Sequence, residues 1–200
     1  MNKILIIGAG QLGSRHLQGA LQSALVLNIT VVDPSDESLN IAKQRAEQVA
    51  INNAKSAVHY SQSLPKAESF DVCIIATSAP VRAKVTASLL AENKVRFIIF
   101  EKVLFQALNE YSDIEALLEQ HNVTAWVNCP RRLYPSYQQI KELLNPDEVL
   151  TMKVSGSGWG MACNSIHFID LFSYLCNSAN LQTSENNLDT QPFSNLIAYR

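Results

Sequence analysis

Residues 4–13 read Ile-Leu-Ile-Ile-Gly-Ala-Gly-Gln-Leu-Gly, an apolar run that leads directly into three glycines. Consecutive branched apolar residues without alternation are typical of a strand that is buried on both faces of a sheet. From Leu12 to Ala24, apolar residues recur at helical spacing. The stretch therefore predicts a strand, a tight turn and a helix, which is how a parallel α/β sheet begins.

The three glycines, Gly8, Gly10 and Gly13, have the G-x-G-x-x-G spacing of a dinucleotide site. Gly8 permits the tight turn, Gly10 lets a pyrophosphate approach the backbone, and Gly13 lets the helix pack close to the strand. The N–H groups at the helix start, around Gln11 and Leu12, would bind the phosphates. The alternative interpretation is a glycine-rich turn that binds no nucleotide.

Asp33 ends the second predicted strand, about twenty residues after the last glycine, where the acidic residue of a dinucleotide site is expected. A carboxylate there can accept hydrogen bonds from the adenosine ribose hydroxyls, and it would repel an added 2′-phosphate. No lysine or arginine follows before Lys43. The sequence therefore favours NAD over NADP, unless Asp33 only caps the turn at Pro34.

Buried strands and helices continue to alternate as far as residue 145. The predicted strands after the first cover residues 29–33, 58–60, 72–76, 97–100 and 124–128. The predicted helices after the first cover residues 35–50, 80–92, 109–120 and 136–144. This alternation predicts an α/β fold with a doubly wound parallel sheet of the Rossmann type over residues 1–145.

The pattern changes near residue 145. Residues 149–155 are predicted to form a new strand, and residues 164–175 a helix rich in Ile, Phe and Leu. We therefore predict that residues 146–200 begin a second, α+β domain. About 55 residues are marginal for an independent core, so we expect this domain to be incomplete and the chain to be C-terminally truncated.

The composition excludes several classes of protein. The chain has 200 residues, of which 47% are hydrophobic and 17% are charged, and its net charge is −2. It is too apolar to be disordered, and it lacks the basic character of a protein that binds nucleic acid. Its longest apolar runs are far shorter than the roughly 20 residues that a membrane span requires. Four scattered cysteines without a C-x-x-C pair favour a reduced, cytoplasmic protein without a metal site.

Over nearly all of its length, the sequence resembles the Gfo/Idh/MocA family, which is named after glucose–fructose oxidoreductase and inositol dehydrogenase. The matching segments, in family order, are Gly8 to His16, Ala76-Thr77-Ser78-Ala79-Pro80, Glu101-Lys102-Val103, Arg132-Leu133-Tyr134-Pro135 and His167-Phe168-Ile169-Asp170. The resemblance implies an NAD-dependent oxidoreductase that transfers a hydride to or from a hydroxyl or keto group of a sugar, cyclitol or sugar derivative. Loci for surface polysaccharides often carry members of the family, which makes a precursor of such a polymer one candidate substrate.

The resemblance also implies roles for individual residues. Thr77 and Glu101 are expected near the cofactor, and Lys102 and His167 are expected to be catalytic. Histidine has a reference pKa of about 6.5 and can therefore exchange a proton near neutrality. Lys102 follows a central strand, at the edge of the sheet where ligands bind, and would either relay the proton or polarise the substrate oxygen as a cation.

Two further residues are candidate substrate contacts. Asp170 would contact the substrate or support the catalytic histidine, and Trp159 lies in a glycine-rich loop that would either touch the substrate or only fold over the cleft.

Some positions depart from the family pattern. Val103 stands where proline is usual, which removes a restriction on the backbone of the preceding lysine. Cys163 stands where many members have aspartate, and Arg82 replaces a helix histidine. A nucleotide-binding module without catalysis, or an inactive fragment of an enzyme, is therefore the alternative function. The resemblance leaves a homo-oligomer open, because family dimers and tetramers associate through the sheet of the second domain.

Overall fold

The computed structural model describes residues 2–145, 148–158 and 160–185. Within them, the strands are β1 (Asn2–Ile7), β2 (Leu27–Val32), β3 (Ala57–Ser61), β4 (Ser69–Ile75), β5 (Lys94–Phe100) and β6 (Thr124–Val127). The helices are α1 (Gly13–Leu21), α2 (Asp36–Ala46), α3 (Ala79–Glu92), α4 (Leu108–Gln120), α5 (Pro135–Leu143) and α6 (Met161–Leu175), with a 3-10 helix at Pro130–Leu133.

The strands form one parallel sheet in the order β3-β2-β1-β4-β5-β6. This is the doubly wound order of a Rossmann fold, and the predicted fold class is confirmed. After β3 the chain crosses to the other half of the sheet, so the strand order reverses between the neighbouring strands β1 and β4. Ile7, at the end of β1, lies in register with Val32 and Ile75 at the ends of its neighbours. The loops that follow these strands therefore meet at one edge, at the switch point where ligands of this fold bind.

Successive residues of β1 point to opposite faces of the sheet and serve two cores. Leu5 belongs to the core on the side of α3 and α4, with Ile75 and Leu89. Ile6 belongs to the core on the side of α1 and α2, with Leu17. Full burial of such side chains contributes about 1.5–3 kcal/mol each, which explains why the first strand is apolar without alternation.

The region after residue 145 agrees with the sequence in part. The predicted helix is confirmed, although it begins at Met161 rather than at Asn164. The predicted strand at 149–155 is wrong, because the structure assigns no strand to these residues. A strand requires a neighbour to satisfy its backbone hydrogen bonds, and no strand of the described residues pairs with this segment. The division into domains at residue 145 stays a prediction.

Cationic side chains attach α6 to the chain that follows β6. The Arg131 guanidinium lies 4.0 Å from the centre of the Phe168 ring. The Lys141 Nζ donates a hydrogen bond of 2.6 Å to the Tyr174 carbonyl and lies 3.9 Å from the centre of the same residue's ring. These contacts hold α6 over the carboxyl edge of the sheet. None of the helices in the described residues is long and apolar enough to cross a membrane.

Candidate nucleotide and catalytic site

Two glycines of the motif lie where the backbone leaves no room for a side chain. Gly8 has φ +95°, and a Cβ on it would lie 2.9 Å from the backbone of both Ala76 and Thr77. A Cβ on Gly13 would lie 1.7 Å from the Gly8 carbonyl oxygen. These glycines therefore bring the start of α1 and the loop after β4 close to the turn that follows β1.

Gly10 is different, because a Cβ there would meet nothing within 4 Å. The motif therefore presents open backbone at the position where a pyrophosphate would approach. Gln11 and Leu12 are exposed beside it, and the N-cap residue Leu12 makes no side-chain cap to α1. An uncapped helix start at this edge of the sheet fits a phosphate ligand, because its N–H groups and its dipole both favour an anion.

Asp33 immediately follows β2 and joins two loops. Its Oδ2 accepts a hydrogen bond of 2.8 Å from the Ala9 N–H, and its Oδ1 accepts one of 2.9 Å from the Ser35 N–H. The carboxylate thus caps the turn after β2, as the alternative interpretation predicted, and it also holds the glycine turn. Each carboxylate oxygen can accept a second hydrogen bond, so the residue still fits ribose hydroxyls.

Thr77, in the loop after β4, provides an orphaned polar atom. Its Oγ1 is buried and has no hydrogen-bond partner among the described residues. A buried hydroxyl without a partner costs about 1–3 kcal/mol, which a polar ligand group could recover. The glycine turn, Asp33 and Thr77 therefore fit a dinucleotide at the switch point of the sheet.

Glu101 is the buried carboxylate at the end of β5. Its Oε1 lies 2.7 Å from the His16 Nε2 and accepts a hydrogen bond of 2.7 Å from the Asn128 Nδ2. Burial raises the pKa of Glu101, but the hydrogen bonds from His16 and Asn128 and the charge of His16 outweigh it, so the net pKa lies below its ordinary value. The carboxylate thus joins α1 to the ends of β5 and β6.

Sequence reasoning missed Asn128. It is the last residue of the predicted strand 124–128, so it ends at the same edge of the sheet as Glu101. The position of Asn128 at the same edge of the sheet as Glu101 was the only feature of the sequence that could have indicated this residue.

Lys102 follows Glu101 and reaches across to α6. Its Nζ donates a hydrogen bond of 3.1 Å to the Cys163 carbonyl, in the first turn of that helix. His167 lies one turn further along, with a buried Nδ1 that has no hydrogen-bond partner among the described residues. Lys102 thus bonds the same helix that carries His167, one turn before that residue, although the two lie 65 positions apart in the sequence.

The electrostatic surroundings of His167 favour its neutral form. Burial lowers the pKa of His167 first, and the positive charges of Lys102 and Arg131 lower it further, against smaller opposing effects of Glu101 and Asp170. A neutral imidazole with a free ring nitrogen can accept a proton. The pair can therefore supply a cation and a proton acceptor.

The two candidate substrate contacts have different outcomes. Both carboxylate oxygens of Asp170 contact Arg132, with the Arg132 Nε 3.0 Å from Oδ2 and the Nη2 bonded to Oδ1. Asp170 therefore helps to fix α6, and a contact between it and a substrate stays a prediction. Trp159 lies outside the residues that the structure describes. A cavity of about 380 Å³ is lined by Lys102 and Cys129 together with residues of α6 that include Asp170.

A parallel sheet with a glycine-rich turn at its switch point is typical of a nucleotide-binding Rossmann protein. The model of the GFO_IDH_MocA oxidoreductase family, with its NAD-binding Rossmann fold, matches residues 2–129. The chain therefore belongs to this family, as the sequence resemblance predicted. Among curated proteins, none matches the chain.

Several solved structures share the fold. The myo-inositol dehydrogenase of Lactobacillus casei, in complex with NAD(H) and myo-inositol, has 19% identity and a TM-score of 0.62, with 88% of this chain and 55% of that chain covered. The WlbA (WbpB) dehydrogenase of Thermus thermophilus, in complex with NAD and UDP-GlcNAcA, has 18% identity and a TM-score of 0.60, with 88% and 63% covered.

A super-repressor mutant of Gal80p from Saccharomyces cerevisiae also matches, with 17% identity, a TM-score of 0.66 and coverage of 88% and 52%. The chain thus spans between about half and two thirds of the length of these structures.

Proposed function

We propose that the chain binds NAD(H) at the glycine turn and forms part of an enzyme that transfers a hydride to or from a hydroxyl or keto group of a sugar-like substrate. One observation supports this above the others. Lys102 donates a hydrogen bond to the Cys163 carbonyl, one helical turn before His167, and its positive charge lowers the pKa of His167. Proton transfer and cofactor binding can therefore take place side by side.

The residues proposed to hold the cofactor surround the switch point. The N–H groups of Gln11 and Leu12 would bind the pyrophosphate over the open face of Gly10. Asp33 would accept hydrogen bonds from the ribose hydroxyls through the lone pairs that Ala9 and Ser35 leave free. Its negative charge would repel a 2′-phosphate, which favours NAD over NADP.

Two other residues would act on the nicotinamide side of the site. The unpartnered Thr77 hydroxyl would take a polar group of the cofactor. Glu101 would steady the start of the lysine loop through its bonds to His16 and Asn128, in addition to its predicted place near the cofactor.

The proposed chemistry separates a hydride from a proton. When bound, the nicotinamide supplies the acceptor or donor of the hydride. During oxidation, the neutral imidazole of His167 takes the hydroxyl proton as the carbonyl forms, and during reduction it returns that proton. Lys102 holds the substrate oxygen as a cation or relays the same proton. Both roles require only that the oxygen lie between the two side chains.

A polyhydroxylated substrate is the class that we favour. Similar structures contain myo-inositol and UDP-GlcNAcA, which share ring hydroxyls although their other groups differ. A sugar, a cyclitol or a sugar derivative, including a precursor of a surface polysaccharide, would fit the proposal.

The test has two stages. The chain is first titrated with NADH, and cofactor fluorescence is followed for the wild type and for Gly10→Val. Gly10 has ordinary backbone angles and open space, so the valine should leave the fold intact and weaken binding at least about tenfold. Equal binding by the two proteins would contradict the proposed cofactor site.

The second stage is a turnover assay with NAD and a panel of cyclitols, sugars and nucleotide sugars. Lys102→Met and His167→Ala should each lower turnover at least about 100-fold, because each removes a group from proton transfer. Turnover that survives both changes would contradict their assignment.

The second candidate function is a nucleotide-binding module without catalysis. The super-repressor mutant of Gal80p has a similar fold, so this architecture also occurs in a protein that is described as a repressor. The Cys163 side chain at the start of α6 is a further departure from the enzyme pattern. Tight NADH binding with no turnover of any compound in the panel would favour this second candidate.

A further inference from the structure

Arg82 is a buried arginine in the first turn of α3, with only 2% of its surface exposed. Burial lowers the pKa of its guanidinium, and the charge of Glu101 opposes the shift. A cation that is removed from water is costly unless hydrogen bonds replace its hydration. The partners of Arg82 are therefore informative about what this residue does.

Its hydrogen bonds converge on the loop that carries the proposed catalytic lysine. The Nη1 donates to the carbonyls of Glu101, Val103 and Leu104 at 2.7, 2.5 and 2.7 Å. The Nη2 donates to the Thr77 carbonyl at 2.5 Å. One guanidinium thus ties the loop after β5 to the loop after β4, and both loops lie at the ligand edge of the sheet.

The number of acceptors is unusual. The Nη1 carries two hydrogens, so its three carbonyl acceptors must share them. Hydrogen bonds from a charged donor are about twice as strong as neutral ones, which favours this crowded arrangement over separate solvation of the three carbonyls.

These contacts bracket Lys102. Arg82 donates hydrogen bonds to the carbonyl of Glu101, the residue before Lys102, and to the carbonyl of Val103, the residue after it. The backbone on both sides is fixed, which restricts the direction in which the lysine side chain leaves. Val103 imposes no such restriction, because only a proline would limit the conformation of the residue before it.

We propose that Arg82 is the positioning residue for Lys102, holding the 101–104 loop so that the lysine amine meets the first turn of α6. The catalytic role of Lys102 in this proposal rests on the proposed function. The coupling between Arg82 and Lys102 does not depend on it. Loss of the guanidinium frees three loop carbonyls and releases the amine from the Cys163 carbonyl to solvent.

Asn93 offers a matched control at the far end of the same helix. It is also buried, and its side chain bonds the Pro65 and Leu89 carbonyls and the Glu68 N–H. Asn93→Ala removes buried hydrogen bonds between a side chain and the main chain, as a change of Arg82 does, at the other end of α3. It does not touch the 101–104 loop.

The test measures the reactivity of Lys102 in the full chain without cofactor. Trace acetylation with acetic anhydride, followed by peptide mass spectrometry, gives the rate at Lys102 relative to the exposed Lys84 of α3. We expect the relative rate to rise at least about fivefold in Arg82→Met, because local opening of the loop releases the amine from its hydrogen bond to the Cys163 carbonyl. Asn93→Ala should keep the wild-type rate.

Arg82→Lys keeps the positive charge and most of the aliphatic part of the side chain. This variant tests the positioning role if Arg82→Met does not melt cooperatively. One ammonium cannot reach all four carbonyls, so its rate should lie between those of the wild type and Arg82→Met. A wild-type rate in the folded Arg82 variants, or an equal rise in Asn93→Ala, would overturn the proposal.

NADH titration of the same proteins separates this inference from the proposed function. If the wild type fails to bind NADH, the proposed function is lost, but the acetylation rates still decide whether Arg82 controls Lys102. If NADH binds and the rates do not differ, only the positioning role is lost.

Discussion

The His16 Nε2 and the Glu101 Oε1 lie 2.7 Å apart, and they join the helix that follows the glycine turn to the loop that carries Lys102. The cofactor side and the chemical side of the proposed site are thus connected by one hydrogen bond. The carboxylate is almost fully buried, so its charge must be maintained by its partners.

This connection predicts that Glu101 makes stability depend on pH. The pKa of Glu101 in the folded chain is lowered from its ordinary value of 4.5, so the folded state binds fewer protons than the unfolded state. Its contribution is fully present above about pH 4.5 and is lost as the pH falls through the lowered value. Glu101→Gln should cost about 1–3 kcal/mol at pH 7 and should flatten the loss of stability below pH 4.5.

Urea unfolding at several pH values checks this prediction. Glu119→Gln, on the exposed surface of α4, is the control and should follow the wild type throughout. A Glu101→Gln protein with the same acid dependence as the wild type would show that another group is responsible.

The glycine contacts predict opposite effects for the same substitution at two positions of α1. A Cβ on Gly13 meets the Gly8 carbonyl oxygen, whereas a Cβ on Gly19 meets nothing within 4 Å. Gly13→Ala should therefore destabilise the fold by at least about 2 kcal/mol through overpacking. Gly19→Ala should stabilise it by about 0.5–1 kcal/mol, because alanine favours the helix. Thermal melts of the two variants should shift in opposite directions, and a shared direction would argue against the close packing of α1.

Asp33 predicts the choice between the two cofactors. Asp33→Asn removes the negative charge that would face a 2′-phosphate, so affinity for NADPH relative to NADH should rise about tenfold or more. The amide has only one acceptor oxygen for the N–H groups of Ala9 and Ser35. The variant should therefore also lose about 1–3 kcal/mol of stability.

Paired titrations with NADH and NADPH test this change, with Asp36→Asn as the control. Asp36 is exposed in the first turn of α2, on the helix that follows Asp33. An unchanged ratio of affinities in Asp33→Asn would assign this residue to capping alone.

His167 should titrate below its ordinary pKa of 6.5, and Lys102 should be one reason. Removal of that positive charge in Lys102→Met should raise the pKa of His167, while Lys84→Met, on the exposed face of α3, should not. A depressed pKa means that His167 contributes stability above pH 6.5 and loses it as the pH falls through the lowered value. NMR titration of the imidazole measures the pKa of His167 in each protein. A His167 pKa in Lys102→Met equal to that of the wild type would show that the Lys102 charge does not influence the imidazole.

Much of the fold could be predicted from local patterns. The apolar run before Gly8 and the spacing of the glycines correctly predicted the first strand, the turn and the helix, because burial on both faces and close packing each require particular residue types. The segment 149–155 misled the same reasoning. It has the composition of a strand, but a strand exists only where a neighbour completes its hydrogen bonds.

The sheet and the glycine turn could be predicted from the sequence alone, since they follow from spacing within short segments, and the resemblance to the family pointed to Lys102 and His167 as candidates. The folded structure was needed to show that Asn128 donates a hydrogen bond to Glu101, that Arg132 pairs with Asp170, and that Arg82 bonds the loop around Lys102. Such contacts join side chains to atoms far away in the chain. Their partners are fixed by how the elements pack, which no local pattern records.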